Sequence, residues 1–219
     1  MKFEDFHKVL RQGLTKAAPK QYLQDRGLFY KEFISASQVA FVDSSLNVEG
    51  TGINLLNNKG YLIFPSFTPS GIFSGYIQRS IDNSDKIKYL LPDNILFSKK
   101  TSVLGLKNFE DRSYCFVVEN TIEHFRIKAE GFNSISLLGA YKSKFKLDII
   151  RNQFQKGKLI FVTDNDKAGF ELWQFAKEYL KDIPLERVEH QFKGLDEFFL
   201  ENGRDEFISI LSYYKGNNL

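Results

Sequence analysis

The stretch KGKLIFVTDNDKAGFELWQFAKEYL, residues 156–180, decides how this chain is read. An apolar run climbs through Leu159, Ile160, Phe161 and Val162, as in a strand buried on both faces. It ends on two acids one residue apart, Asp164 and Asp166, and Lys167-Ala168-Gly169 opens a helical pattern directly after them. A strand end is an unusual place for paired carboxylates, because like charges held at one rim repel each other.

The flanking sequence repeats the same unit. SYCFVVE (113–119) reads as a strand and TIEHFRIKAEG (121–131) as a helix, with Ile122, Phe125, Ile127 and Ala129 apolar and Gly131 as its stop. SISLL and LERVEH read as further strands, KSKFKLDIIRNQF as a helix, and LDEFFLENG opens a last helix. Alternating strands and helices predict a mainly parallel sheet with helices on both faces. Ligands of such sheets bind beyond the carboxyl ends of the strands. Glu119 stands at that station on its strand, as Asp164 does on its own.

Before residue 110 the style differs. Short segments alternate with Gly, Pro, Asn and Ser, and YLIFP, GIFSGYIQR and KYLLP read as strands. Turns are expected at Asn57-Asn58-Lys59-Gly60 and at Pro69-Ser70-Gly71. The fold class is therefore α/β. An α+β subdomain is expected over residues 1–110 and the parallel-sheet domain over 111–219.

Composition narrows the function. With 42% hydrophobic and 26% charged residues, the 219-residue chain can bury a real core. A net charge of +3 permits an acidic polymer as partner without demanding one. The single cysteine, Cys115, lies in an apolar run and reads as a core thiol. One Cys and three scattered His build no zinc cluster, so no zinc is expected. The N-terminus lacks the apolar core of a signal peptide and no apolar run reaches 18 residues, so a cytoplasmic protein without membrane contact is expected.

Two neighbouring parallel strands ending in Glu119 and Asp164 would gain from a hard divalent cation, which takes one or two carboxylates together with water and phosphate. Asp166 has two readings, a further ligand or the N-cap of the helix from Lys167.

The constellation resembles the TOPRIM fold of DnaG-type primases, topoisomerases and some nucleases, in which a glutamate ends one strand and a D-x-D motif ends a later one. VVEN (117–120) matches the first, and TDNDKAG (163–169) matches the primase form of the second. The N-terminal half is similar to the primase core: LIFPSFTPSGIFSGYIQR ends on Arg79, and KIKYLLPDNILFSKKTSVLGL carries Lys88 and Lys99. The resemblance implies a DnaG-type primase core of phage or mobile-element type. It would make short RNA primers on a single-stranded DNA template from NTPs by two-metal phosphoryl transfer, in partnership with a replicative helicase. Glu119, Asp164, Asp166 and Asp196 would hold Mg²⁺ or Mn²⁺, with Glu119, Asp164 and Asp166 as the catalytic acids. Arg79, Lys88 and Lys99 would contact template or triphosphate, the alternative being a solvated basic face. Lys167 would meet a phosphate or remain a surface lysine.

The sequence departs from the pattern in several places. Within residues 1–219 neither the family's zinc-binding module nor its helical bundle is expected. Gly194 stands where the third acidic site has its first acid, and Glu123 stands where Asp is frequent. A metal-dependent nuclease, or a non-catalytic DNA-binding module acting with a helicase, are the alternative functions.

Overall fold

The computed structural model describes residues 3–216 apart from 47, 57–58, 69, 93, 107–108 and 110. The chain forms two compact units, Met1–Ser98 and Lys99–Leu219.

In the first unit, helices α1 (Phe3–Gln12), α2 (Ala17–Asp25) and α3 (Lys31–Ser37) precede strands β1 (Ala40–Val42), β2 (Tyr61–Phe67), β3 (Phe73–Ser80) and β4 (Tyr89–Leu90). The four strands form an antiparallel sheet in chain order. Pro65 sits in β2 beyond the reach of β1, whose last partner is Ile63, so its missing N–H falls where β2 has one neighbour strand. Leu10, Ala40, Val42, Ile53, Tyr61, Ile63 and Tyr76 make a core between sheet and helices. Of the two expected turns, positions 57, 58 and 69 lie outside the described residues; Gly60 and Gly71 take the left-handed φ values of 89° and 83° that favour glycine.

In the second unit, β5 (Tyr114–Val118), α4 (Thr121–Ala129), β6 (Ser134–Ser136), α5 (Lys144–Gln153), β7 (Lys158–Val162), α6 (Lys167–Tyr179), β8 (Leu185–Arg187) and α7 (Leu195–Gly216) alternate. The sheet order is β6-β5-β7-β8, and every pairing is parallel. This is the doubly covered parallel sheet that the apolar strands imply, and the period of two divides their side chains between two cores. Cys115, Val117, Leu159 and Phe161 face α5 and α6, where Leu147, Ile150, Leu172 and Ala176 pack. Tyr114, Phe116, Val118, Ile160 and Val162 face α4 and α7, through Ile127, Phe198, Phe199, Phe207 and Leu211. Gly203 interrupts α7 with φ 82° and ψ 179°.

Helix α4 departs from the amphipathic pattern its sequence suggests. Every residue from Thr121 to Ile127 is buried, including Glu123, His124 and Arg126. Polar groups buried in this way need partners or a function.

Gly60 is held by its surroundings as well as by its φ. A Cβ there would come 2.5 Å from the Val42 carbonyl oxygen and 2.6 Å from the Phe41 ring. Gly60→Ala should therefore lower stability by about 1–3 kcal/mol, measured by denaturant unfolding, with the far-UV spectrum of the folded state unchanged.

Candidate metal and nucleotide site

The parallel pairing of β5 with β7 runs in step from Tyr114–Lys158 to Val118–Val162. The residues that follow, Glu119 and Thr163-Asp164, therefore leave the sheet at the same level. The Asp164 amide donates to Glu119 Oε1 at 3.0 Å, which draws the glutamate across onto the other strand's end. Glu119 is 9% exposed. Burial, then the fields of Asp164 and Asp166, push its carboxyl up to about 7, while the Asp164 amide and Arg187 oppose the rise. The half-buried Asp164 is raised as well, chiefly by burial and then by Asp166, with Lys193 opposing.

Gly169 explains why the motif ends on glycine. A Cβ at this position would lie 2.2 Å from the Asp164 carbonyl oxygen and 2.9 Å from Glu119 Oε1. The first turn of α6 is thus pressed against both acids. Asp166 is exposed, and its Oδ1 accepts from the Gly169 amide at 2.9 Å, so it caps α6. Its charge still reaches Glu119 and Asp164.

A third buried carboxylate completes the group. Glu123, one helical turn past Glu119, is 3% exposed, and burial raises its carboxyl well above the usual range, reinforced by Asp196, Asp164 and Glu119. A Cβ on Gly194 would stand 2.7 Å from Asp164 Oδ1 and 3.3 Å from Glu123 Oε1, so residue 194 faces both acids and brings no side chain of its own. Asp196 is engaged elsewhere: its Oδ1 accepts from Arg126 Nε at 3.1 Å and from Nη2 at 2.9 Å. The wholly buried guanidinium of Arg126 lies 4.0 Å from the centre of the Phe199 ring.

Among the described residues no three Asp, Glu, His or Cys side chains converge on a common point as metal ligands. The reason is visible: Asp166 is turned to its own helix and Asp196 to Arg126. The donor chemistry nonetheless fits a hard divalent cation. Glu119 and Asp164 are carboxylates brought to one rim under partial burial, both raised first by burial and then by neighbouring acids, and a cation would offset both effects.

The basic residues expected to contact phosphate differ in their settings. In the first unit Arg79 is buried, donating from Nε to Tyr22 Oη at 3.0 Å, with its guanidinium carbon 4.7 Å from the centre of the Tyr89 ring. Lys88 caps the neighbouring turn by donating to the carbonyls of Asp82 and Asn83. In the second unit Lys99 is exposed, and its charge helps lower the buried Lys146 to about 8, after the larger effect of burial. Lys167 is exposed and lies 4.0 Å from Glu171. Sequence reasoning passed over Arg126 and Arg187, and named Gly169 only as the last residue of the TDNDKAG motif. The clue to Glu123 was its spacing, four residues past a strand-end glutamate on a helix that starts there.

No family model matches this sequence. A DNA primase of Mycoplasma genitalium is 26% identical over 224 residues, covering 94% of this chain and 36% of the relative. A second protein of that organism, the uncharacterized protein MG010, is 28% identical over 181 residues, covering 80% of this chain and 75% of the relative. The chain therefore spans about a third of the length of the primase it matches. Among solved structures, the DnaG catalytic core superposes over 96% of this chain and 78% of its own, with a TM-score of 0.73 and 20% identity. A DnaG primase catalytic domain bound to single-stranded DNA matches equally well, at TM-score 0.73 over 96% of this chain and 79% of its own, with 20% identity. The fold is that of the DnaG catalytic core.

The raised carboxyls predict a pH effect. A carboxyl whose folded value lies above its unfolded one stabilises the fold fully below the unfolded value and stops doing so as pH rises through the folded value. Without divalent metal, the melting temperature should fall between about pH 4.5 and 7. Glu119→Gln should flatten that fall, and Mg²⁺ should raise the melting temperature more at pH 8 than at pH 5. Thermal melts across pH, with and without Mg²⁺, measure all three.

Proposed function

We propose that this chain is the catalytic core of a DNA primase, a DNA-directed RNA polymerase that makes short RNA primers from NTPs on single-stranded DNA. In this assignment residues 111–219 form a TOPRIM domain and residues 1–110 the basic subdomain that precedes it. The observation that carries the assignment is the junction of Glu119 and Asp164 at the carboxyl rim of β5 and β7, in a fold that matches the DnaG core over nearly the whole chain. The Mycoplasma primase relative and the similar domain solved with single-stranded DNA support the substrate class. The resemblance of the sequence is the support for a replicative helicase as partner.

Glu119 and Asp164 are the residues that would hold Mg²⁺ or Mn²⁺, with Glu123 behind them and Asp166 adding negative charge at the rim. When bound, the ion supplies the positive charge that makes a primer 3′-hydroxyl acidic and a pyrophosphate leaving group stable. The protein's own part is positioning. The Asp164 amide holds Glu119 in place, the Asp166 cap fixes the start of α6, and Arg126 donates to Asp196 Oδ1. Lys99 is exposed and available to a phosphate, whereas Arg79 is buried against Tyr22 and Tyr89.

Asp164→Ala should reduce primer synthesis by about 100-fold or more, since metal neutralisation contributes several kcal/mol to such a transition state. Binding of a dT oligonucleotide should persist. The assay uses mixed single-stranded templates, Mg²⁺ and labelled NTPs. Primer synthesis at the wild-type rate in the variant would remove the metal assignment, and NTP-independent breakdown of template by the wild-type chain would point to a nuclease instead.

A further inference from the structure

Two cations flank the Asp164–Asp166 loop without pairing to its carboxylates. Arg187, the last residue of β8, donates from Nε to Thr163 Oγ1 at 2.9 Å and from Nη2 to Asn165 Oδ1 at 3.2 Å and the Asp164 carbonyl at 3.4 Å. Three acceptors fix the plane of the guanidinium. All three are neutral oxygens, and among the described residues Nη1 has no acceptor. The charge of Arg187 reaches Glu119.

The other flank is built by backbone. The Asn165 amide donates to the Lys193 carbonyl at 2.6 Å, and its side-chain nitrogen donates to the His190 carbonyl. Segment 190–193 is thereby laid beside the acidic loop. The exposed Lys193 side chain takes no part in the stitching, and its charge acts on Asp164. Gly194, next in the chain, faces Asp164 with no side chain.

An arginine meant only to neutralise Asp164 or Glu119 would pair with a carboxylate. Arg187 is held beside them and kept off them, and Lys193 forms no ion pair among the described residues. Cations arranged in this way suit an anion that arrives with a divalent metal. We propose that Arg187 and Lys193 form a polyphosphate subsite beside the metal-holding carboxylates, taking the triphosphate of the incoming nucleotide. This rests on the primase assignment. Arginine offers a fixed fork to phosphate oxygens and lysine a mobile point charge.

The test is titration of the full chain with tripolyphosphate in Mn²⁺ by calorimetry. Lys193→Ala should weaken binding by about 10-fold and Arg187→Gln by about 10- to 100-fold, the range of a charge-assisted hydrogen bond, with Arg187→Lys intermediate. Mn²⁺ binding, read by electron paramagnetic resonance, and dT oligonucleotide binding should stay at wild-type strength in Lys193→Ala, whose side chain supports no backbone contact. Unchanged tripolyphosphate affinity in both Lys193→Ala and Arg187→Gln would overturn the subsite. So would loss of Mn²⁺ in step with tripolyphosphate, which would make these residues supports of the loop alone. Weakened oligonucleotide binding with tripolyphosphate unaffected would overturn it too, by assigning the cations to a DNA backbone. If the wild-type chain makes primers and only the variants fail to differ, the subsite falls alone. If it neither makes primers nor binds tripolyphosphate, the assignment beneath it falls as well.

Discussion

The second unit is organised by the in-step parallel pairing of β5 with β7. Five consecutive residue pairs, Tyr114–Lys158 to Val118–Val162, keep the two strands level, so their first residues beyond the sheet meet. Glu119 then accepts from the Asp164 amide, and α6 can begin only if residue 169 lacks a side chain. A slip of one residue would turn the side chains of one strand to the opposite face and separate the acids. The apolar strands provide the energy for this arrangement: Phe116, Val118, Ile160 and Val162 are buried on one face, and Cys115, Val117, Leu159 and Phe161 on the other. Packing of that extent can hold carboxylates together against their repulsion.

Charge balance around the rim then determines what each acid can do. Glu123 and Asp196 both lie close to Arg126, which is wholly buried and hydrogen-bonded to Asp196. Removing one partner of such a pair leaves a buried charge without compensation, and the penalty is larger than the net contribution of the pair itself. Arg126 thus ties the start of α7 to α4 through Asp196, whose charge also acts on Glu123 and Asp164. Asp164 and Glu119 remain under partial burial with raised carboxyls, while Arg187 and Lys193 supply positive charge without pairing to their carboxylates. The rim is therefore acidic at its centre and basic on both flanks, a distribution suited to a metal ion that carries a polyphosphate.

The first unit uses its basic residues differently. Arg79 is packed between Tyr22 and Tyr89, and Lys88 closes a turn, so both serve the antiparallel sheet whatever else they contact. A hydrogen bond to Tyr22 and a cation–π contact with Tyr89 hold the buried Arg79 guanidinium, whereas Lys99 of the other unit is exposed.

The sequence alone determined the alternation of strands and helices, the positions of Glu119, Asp164 and Asp166 at strand ends, and the chemistry of a hard-cation site. These follow from period, punctuation and residue type, which are local properties. Only the tertiary structure decided the rest. A polar residue on a short helix looks solvated in sequence, and nothing local shows that α4 is enclosed on all sides, so the burial of Glu123 and the pairing of Arg126 were hidden. Asp164 and Asp166 look alike along the chain, yet one lies against Glu119 and the other caps a helix. Arg187 lies in a segment that the sequence marks only as a strand, and its place beside the acidic loop comes from the pairing of β8 with β7. The difference is physical: burial and charge pairing depend on groups far apart in the chain, 70 residues in the case of Arg126 and Asp196, and their partners exist only once the sheet is closed over.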